Sequence, residues 1–401
     1  MTDVGTSARV GAGRLARTDW RLVILACGMF AIGTDSFVIA GILPRIAQDL
    51  GVGTGMAGQL ITAYALSYAI ATPVAAALTA NMPRDRVLLA GLLIFTIGNL
   101  GTAFAPEIYS ALATRAVSGI GAAIFAPAAS ATAIALTDPA RRGRALGAMM
   151  LGLSAATAFG APLGTALAEV IGWRMIIMLV ACLGAVVVLG VVTFIGAMAA
   201  PATAPMRRRL AVLNDRRVMG ALLATFLVLS GLYTVYSYIS VVLHPVTHGD
   251  GAVLALLLWV WGLGAVAGSI LSGRLTDTYG SRAIVNLALI CLVIDIAALY
   301  WTRTFLPASA AAVLIWGACG FGFTIPQQHR LAGSNPDSAQ IVLGFYATAV
   351  YLGAAASGVI GALVLRLFDA GAPPFVGAAL VASGLMVSEI AGYPCAKSAR
   401  P

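Results

Sequence analysis

Four ionisable side chains lie within long apolar stretches of this sequence: Asp35, Arg115, Asp295 and Glu389. Placing a charged side chain at the centre of a bilayer costs about 2.5 to 3.5 kcal/mol on insertion scales, so such residues usually mark ion or substrate pathways. A carboxylate beside a guanidinium can bind and release a proton as its surroundings change, because the positive neighbour favours the ionised form and desolvation favours the neutral form. The chemistry that these residues could do is therefore proton exchange.

Asp35 and Arg115 are predicted to lie at similar depth on two different helices. At a rise of ~1.5 Å per helical residue, Asp35 lies roughly 12 Å and Arg115 roughly 9 Å below the outer membrane face. We predict that they act as a proton-coupling pair, and the alternative is a fixed structural ion pair. Asp295 has no arginine at its depth, which favours a protonated, hydrogen-bonded acid. Glu389 lies near the inner interface, where solvation is expected.

The elements that must position these groups are twelve apolar runs. Hydrophobic residues make up 60% of the 401 residues and charged residues only 10%, against about 25% charged residues in soluble proteins. A bilayer-crossing helix needs about 20 apolar residues. This composition excludes a soluble, a disordered or a nucleic-acid-binding protein, and it predicts an all-α integral membrane protein with twelve transmembrane helices. The predicted spans are Leu22–Leu43, Met56–Thr79, Val87–Phe104, Tyr109–Leu136, Ala145–Ala168, Met175–Met198, Val218–Leu243, Val253–Leu275, Ala283–Thr302, Pro307–Pro326, Ile341–Leu365 and Pro374–Gly392.

Basic residues are distributed unevenly among the connections between these spans. With the N-terminus in the cytoplasm, 19 of the 24 Lys and Arg residues lie on cytoplasmic segments, four lie outside and Arg115 lies within a span. Cytoplasmic loops hold the excess of positive charge in membrane proteins. The sequence therefore predicts a multi-pass protein of the cell membrane, inner or plasma, with both termini in the cytoplasm.

A long basic connection divides the predicted spans into six and six. The segments that follow spans two and eight, Ala76–Arg84 and Gly273–Arg282, are similar and begin 197 residues apart. Such a repeat predicts two pseudo-symmetric six-helix bundles with a substrate site between them near the membrane midplane. The predicted organisation is a cytoplasmic tail (1–20), an N-terminal bundle (21–198), a cytoplasmic linker (199–217), a C-terminal bundle (218–392) and a second tail (393–401).

Three motifs resemble signatures of the major facilitator superfamily, and the resemblance extends over residues 21–392. Gly273–Arg282 resembles the family's loop signature, and its copy after span two is eroded. Arg115–Gly121 in span four resembles the proton-coupling signature. Gly160–Thr165 in span five resembles the antiporter signature, with Ala161 inserted between the usual Gly and Pro. The residues to which the resemblance assigns a gating or conformational role are Gly273, Asp277, Gly280, Arg282, Gly160, Pro162 and Gly164.

Four further segments together are similar to the drug:proton antiporter branch with its chloramphenicol and arabinose exporters: Gly33–Phe37, Leu43–Pro44, Asp49–Val52 and Gly172–Arg174. The antiporter signature is associated with exporters rather than importers. The resemblance implies a proton-coupled secondary transporter that exports small amphiphilic molecules, such as a drug, an antibiotic or a sugar-like metabolite, by alternating access. The alternatives are a proton-coupled uptake symporter and a non-transporting receptor of the same fold.

Several aromatic side chains within the spans could line a substrate cavity. Rings with polar tips suit a bulky, partly apolar, uncharged or weakly polar ligand, and ordinary packing between helices is the alternative for each of them. Trp259 and Trp261 are expected in the aromatic belt at the membrane interface. The substrate-cavity candidates are Tyr64, Tyr68, Phe125, Tyr233, Tyr236, Phe321 and Asp295.

Patterns typical of enzyme chemistry are missing from the sequence. Its three histidines have no metal-ligand spacing, and the phosphate-binding loop of ATP-driven pumps is absent. We therefore predict a transporter rather than an enzyme, without a metal or other cofactor. The expected partners are protons, a small-molecule substrate and the lipid bilayer, with no nucleic acid, and the protein is expected to be a monomer.

Overall fold

The computed structural model describes residues 20–138, 141–198, 214–334 and 339–391, and the described residues contain twelve helices long and apolar enough to cross a membrane. This confirms the twelve predicted spans. Large apolar side chains face outward, as at Val170 and Ile390, which are 83% and 84% exposed and would contact lipid. The helices are α1 (Trp20–Asp49), α2 (Thr54–Leu78), α3 (Arg84–Ala103), α4 (Ile108–Ala135), α5 (Arg142–Ile171), α6 (Trp173–Phe194), α7 (Arg216–Tyr236), α8 (Gly251–Tyr279), α9 (Ser281–Thr302), α10 (Leu306–Gly333), α11 (Ala339–Leu367) and α12 (Pro373–Ile390).

The seventh span is shorter than predicted. Helix α7 ends at Tyr236, and two short helices, Ile239–Val242 and His244–Thr247, follow where the prediction continued one helix to Leu243. The chain turns at Tyr238, whose buried hydroxyl donates to Gly358 O of α11 over 2.7 Å. Hydropathy could not reveal this break, because the apolar run continues through it.

The Gly273–Arg282 motif was predicted to form a loop, but the structure shows that it does not. Residues 273–279 belong to the last turns of α8, and α9 begins at Ser281. Only Gly280 separates the two helices, with φ at 82°. A glycine adopts this left-handed conformation without the steric cost that a β-carbon would add. One residue therefore makes the whole connection.

Helices α1–α6 pack into one bundle and α7–α12 into a second, with the same pattern of neighbours. The pairs α1–α5, α2–α4, α3–α4 and α3–α6 correspond to α7–α11, α8–α10, α9–α10 and α9–α12. Small residues bring these helices close, since a β-carbon at Gly121 of α4 would lie 2.7 Å from Gly91 O of α3. The architecture is that of two repeats, in agreement with the predicted fold.

The two bundles touch at the end of the molecule that holds Asp49, the last residue of α1, which we call the outer end. Along α2 and α11, Gln59 Nε2 donates to Gly358 O over 3.1 Å and Thr62 Oγ1 donates to Ala355 O over 3.3 Å. These hydrogen bonds tie one bundle to the other. The distribution of basic residues predicts that this end faces the outside of the cell.

Helices α5 and α8 touch near the outer end and separate toward the opposite, inner end, where α8 ends at Tyr279. A β-carbon at Gly262 would lie 2.6 Å from Thr157 O, so these two helices are in close contact there. About ten residues further along each helix, a β-carbon at Gly147 or at Gly273 would meet nothing within 4 Å. The space between the bundles therefore opens toward the inner end. With the N-terminus in the cytoplasm, this conformation faces inward.

Candidate functional site

Asp35 and Arg115 form a buried ion pair between α1 and α4. Arg115 Nη1 donates to Asp35 Oδ1 over 2.6 Å, and the exposed fractions of the two side chains are 1% for the arginine and 0% for the aspartate. The structure thus brings together two residues 80 positions apart that the depth estimate placed at the same level. Both helices belong to the first bundle.

This pair leaves hydrogen-bonding capacity unused. Among the described residues, neither Asp35 Oδ2 nor Arg115 Nε has a partner, although both atoms are buried. Asn99 of α3 lies beside the carboxylate, and its own amide donates to Phe95 O over 3.1 Å. Buried charges cost free energy unless they are paired and hydrogen-bonded. A pair joined by one hydrogen bond separates more readily than a bidentate pair, which suits a group that exchanges a proton.

Tyr64 of α2 covers the arginine. The guanidinium carbon of Arg115 lies 4.4 Å from the centre of the Tyr64 ring, within the range of a cation–π interaction. Ser36 Oγ donates to Ile32 O over 2.8 Å, and its oxygen lies 3.2 Å from the Tyr64 hydroxyl, from which it can accept a hydrogen bond. These contacts join α2 to α1 and α4 around the ion pair.

One helical turn closer to the inner end, Tyr68 stacks on Tyr351 of α11. The ring centroids are 3.5 Å apart and the planes differ by 18°. Tyr351 also lies beside Ser36, the residue that follows Asp35. The two bundles therefore meet in an aromatic stack next to the ion pair. Tyr351 was missed in the sequence, although an aromatic hydroxyl in the middle of a span is the signal that identified Tyr64 and Tyr68.

Six rings form an aromatic cluster where α1 of the first bundle meets the second bundle. Tyr236 and Trp261 have ring centroids 4.6 Å apart, and the Tyr236 hydroxyl donates to Phe37 O over 3.1 Å. Of the predicted cavity residues, Tyr233, Tyr236 and Phe321 belong to this cluster. Its members are Phe37 (α1), Tyr233 and Tyr236 (α7), Trp261 (α8), Trp316 and Phe321 (α10).

The predicted place in the interface belt is wrong for Trp261. Its side chain is only 1% exposed, because it packs among the rings of Phe37, Tyr236, Trp316 and Phe321. Trp259, two residues earlier, faces the opposite way and is 41% exposed. Residues two apart on a helix point about 200° apart, since each residue turns the helix by about 100°. Apolar composition on both sides of α8 hid this difference in the sequence.

Two of the predicted cavity residues lie elsewhere. Phe125 of α4 packs inside the first bundle, where a β-carbon at Gly28 would lie 2.6 Å from its ring. Asp295 lies half-buried on α9, close to Cys319 of α10. Because α9 packs on α10 and α12 at the side of the second bundle, the structure does not bring Asp295 to the ion pair or to the aromatic cluster.

The segment Gly160–Thr165 packs on α1 beside the ion pair. Gly160 contacts Thr34, the neighbour of Asp35, and a β-carbon at Gly164 would lie 2.5 Å from Val38. Immediately before this segment α5 contains a π-helical turn, Ala156–Gly160, closed by a bond from Ala161 N to Ala156 O. Small residues and a widened turn thus hold α5 against the helix that carries the acid.

At the inner end, the Gly273–Arg282 motif joins α8 to α9 and α12. Arg282 forms an ion pair with Glu389, and Asn286 Nδ2 donates to the same carboxylate over 2.9 Å. Glu389 is therefore partnered within the second bundle as well as partly exposed. Asp277 is exposed and makes no ion pair with any residue in the described ranges.

Comparisons with known proteins agree with this architecture. The profile of the Major Facilitator Superfamily matches residues 25–358. The inner membrane transport protein YdhP of Escherichia coli (strain K12) is 31% identical over 348 residues, which cover 86% of this chain and 89% of that protein. A chloramphenicol resistance protein of Streptomyces lividans is 31% identical over 376 residues, or 92% of this chain and 93% of its own length.

A solved structure shares the fold at much lower identity. The crystal structure of a D-xylose-proton symporter superposes with a TM-score of 0.74 at 13% identity, covering 92% of this chain and 96% of its own. One assignment follows from the twelve membrane helices in two repeats, from the motifs that begin at residues 115, 160 and 273, and from these similarities. The chain belongs to the Major Facilitator Superfamily and is a multi-pass membrane transporter, not an enzyme.

Proposed function

We propose that this transporter exports small amphiphilic molecules from the cytoplasm in exchange for protons. The observation that supports it most directly is the Asp35–Arg115 pair, two opposite charges withdrawn from solvent beside the Tyr68–Tyr351 stack between the bundles. Ionisable groups are expensive inside a membrane and are kept there for function. A receptor of the same fold would have no need of them.

Asp35 is the proposed proton carrier. Arg115 donates a hydrogen bond to it over 2.6 Å, and protonation of Asp35 would remove the negative charge that attracts the guanidinium. Binding of a proton thereby changes the attraction between α1 and α4. An equilibrium between two conformations shifts by the difference in interaction free energy between them, so this change can bias which side of the membrane the cavity faces.

The proposal that transport is export rather than uptake rests on helix α5 and on one related protein. The antiporter-like segment packs directly on Thr34, next to the proposed carrier. The relative that is named a chloramphenicol resistance protein aligns over nearly the whole chain. We propose neutral antibiotics of this kind as substrates, a monomer as the working unit, and the cell membrane as the location with both termini in the cytoplasm.

Proton flux in reconstituted vesicles tests this function. Protein in liposomes that contain a pH-sensitive dye is given a gradient of chloramphenicol, and proton movement is recorded per inserted protein. We expect protons to move opposite to the drug. Asp35→Asn keeps the shape of the side chain but cannot titrate, so it should abolish drug-linked proton movement while drug binding remains measurable.

Asp49→Asn is the matched control, because it makes the same change on the same helix at a side chain that is 49% exposed and paired with Arg174. It should leave coupling unchanged. If drug-linked proton movement persists in Asp35→Asn, Asp35 is not the carrier. Protons that move in the same direction as the drug would identify an uptake symporter. A purely structural ion pair predicts reduced protein abundance with coupling preserved in the protein that remains.

A further inference from the structure

The aromatic cluster contains two hydrogen-bond donors without acceptors. Nε1 of Trp261 and Nε1 of Trp316 are both buried, and neither atom finds a partner in the part of the chain that the structure describes. Both side chains are 1% exposed, and their ring centroids are 6.1 Å apart. Buried polar groups in native proteins are nearly always hydrogen-bonded, so two unpaired donors in adjacent rings indicate an absent acceptor.

The position of the cluster favours a ligand site over an ordinary core. Phe37 comes from the first bundle and packs on Tyr236 and Trp261 of the second, with centroid distances of 5.7 and 5.9 Å. Tyr233 and Phe321 are half-buried members at its edge, and Tyr233 is a neighbour of Tyr351. Movement of one bundle relative to the other would separate Phe37 from the remaining rings. The ring contacts around the two indoles would therefore change with the conformation of the transporter.

The chemistry of these side chains limits what can bind. An indole N–H donates and cannot accept, so each tryptophan needs an acceptor atom on the ligand. The cluster has no ionisable group except tyrosine hydroxyls, and an ionised ligand would lose its hydration there without gaining a counter-charge. Flat rings in offset and edge-to-face arrangements favour a planar aromatic partner.

We propose that the aromatic cluster binds an uncharged aromatic ligand whose carbonyl or nitro oxygens accept hydrogen bonds from Nε1 of Trp261 and Nε1 of Trp316. This inference rests on the proposed export function and defines its substrate class. Beside the two indole nitrogens a cation would meet the positive ends of two N–H dipoles, and this repulsion opposes the cation–π attraction of the ring faces. The carboxylate of Asp35 is paired with Arg115, so it does not act as a counter-charge for the ligand.

Equilibrium binding to the purified full-length protein in lipid nanodiscs tests this site without a proton gradient. The probes are chloramphenicol, an uncharged nitrophenyl amide, and tetraphenylphosphonium, an aromatic cation without acceptors. Trp261→Phe and Trp316→Phe each keep an aromatic ring and remove one N–H. We expect each to raise the Kd for chloramphenicol about five- to tenfold, the factor that corresponds to one hydrogen bond. Wild-type protein should bind tetraphenylphosphonium at least about tenfold more weakly.

Trp259→Phe is the control, since it changes the exposed indole on the opposite side of α8 and should leave the Kd unchanged. The melting temperature separates binding from folding: a phenyl ring in place of a buried indole leaves a cavity and should lower the ligand-free value. The rise in melting temperature caused by chloramphenicol should also shrink relative to the wild type. Unchanged Kd values in both variants, equal affinity for the cation, or no saturable binding of chloramphenicol to the wild type would each overturn the proposal. If binding behaves as expected but chloramphenicol moves no protons, the export function fails and this site stands.

Discussion

Within the described part of the chain, Asp35 has one charged partner and one unpaired carboxylate oxygen, and aromatic rings lie beside the pair. Tyr64 covers Arg115, and the Tyr68–Tyr351 stack lies between the pair and the inner end toward which the bundles open. The stack is made by one ring from each bundle. It is therefore broken whenever α2 and α11 move apart at this level, which links access to the acid with the position of the bundles.

Removal of the Tyr351 ring should uncouple the transporter. In Tyr351→Ala, water from the inner side would reach the Asp35–Arg115 pair in this conformation. Proton leak in vesicles without substrate should then rise about tenfold. This factor corresponds to ~1.4 kcal/mol, which is comparable to the interaction free energy of one aromatic pair. Leak is measured as dye response to an imposed pH step. Tyr351→Phe keeps the ring and should leak as little as the wild type; equal leak in both variants would show that the ring is not the barrier.

Among the elements, α5 joins the site to the movement of the bundles. Its inserted residue, Ala161, donates the hydrogen bond that closes the π-helical turn. One extra residue in a helix can be accommodated by a single wider turn, and such turns occur often at functional sites. The turn also places Thr157 and Ala158 against Gly262 of α8, so the widened turn belongs to the surface of α5 that contacts the other bundle.

A larger side chain at Gly262 should therefore disfavour the conformation seen here. In Gly262→Val the β-carbon would lie 2.6 Å from Thr157 O and 2.7 Å from Ala158 Cα, both on the backbone, which cannot move aside cheaply. Overpacking of this kind costs about 1 to 3 kcal/mol. We expect the outer end to open, measured as a longer distance between spin labels at Val170 and His248, and transport to slow.

Gly147→Val is the matched control for this change. It adds the same side chain on α5, at a position where a β-carbon meets nothing within 4 Å, so the label distance should stay at the wild-type value. A shift of equal size in both variants would mean that the valine acts by a general effect on the helices. No shift in Gly262→Val would show that the outer contact does not set the conformation.

At the scale of the whole molecule, the orientation in the membrane is a prediction from charge alone. With 19 basic residues on one side and four on the other, a reporter fused after Arg217 should report the cytoplasm. A reporter placed within His244–Gly251, at the outer end, should report the outside. Activities of an alkaline phosphatase and a fluorescent protein fused at both positions give complementary signals. The reverse pattern would invert the assignment of inner and outer ends, and with it the direction of the proposed transport.

The twelve helices, the two repeats and the contact between Asp35 and Arg115 were predictable from the sequence, and the role of this pair in proton coupling stays a prediction. Apolar runs of membrane length leave the backbone no choice but helix, because every peptide group must be hydrogen-bonded within lipid. Charged residues in such runs are few, so Asp35 and Arg115 stood out and a constant rise per residue placed them at one depth. The helix break after Tyr236 stayed hidden, because composition does not change there.

Only the tertiary structure decided which aromatic side chains form the site. Trp261 and Trp259 have the same sequence environment, and the ring contacts of Trp261 with α7 and α10 bury it while Trp259 stays 41% exposed. Tyr351 became part of the site because antiparallel α2 and α11 bring it opposite Tyr68. Phe125 and Asp295 do not belong to the candidate site. Phe125 packs inside the first bundle, and Asp295 lies on α9 at the side of the second bundle. In a chain that is apolar on all sides, hydropathy cannot distinguish the face of a helix that meets lipid from the face that meets another helix, so contacts between helices remain unspecified until the bundles are assembled.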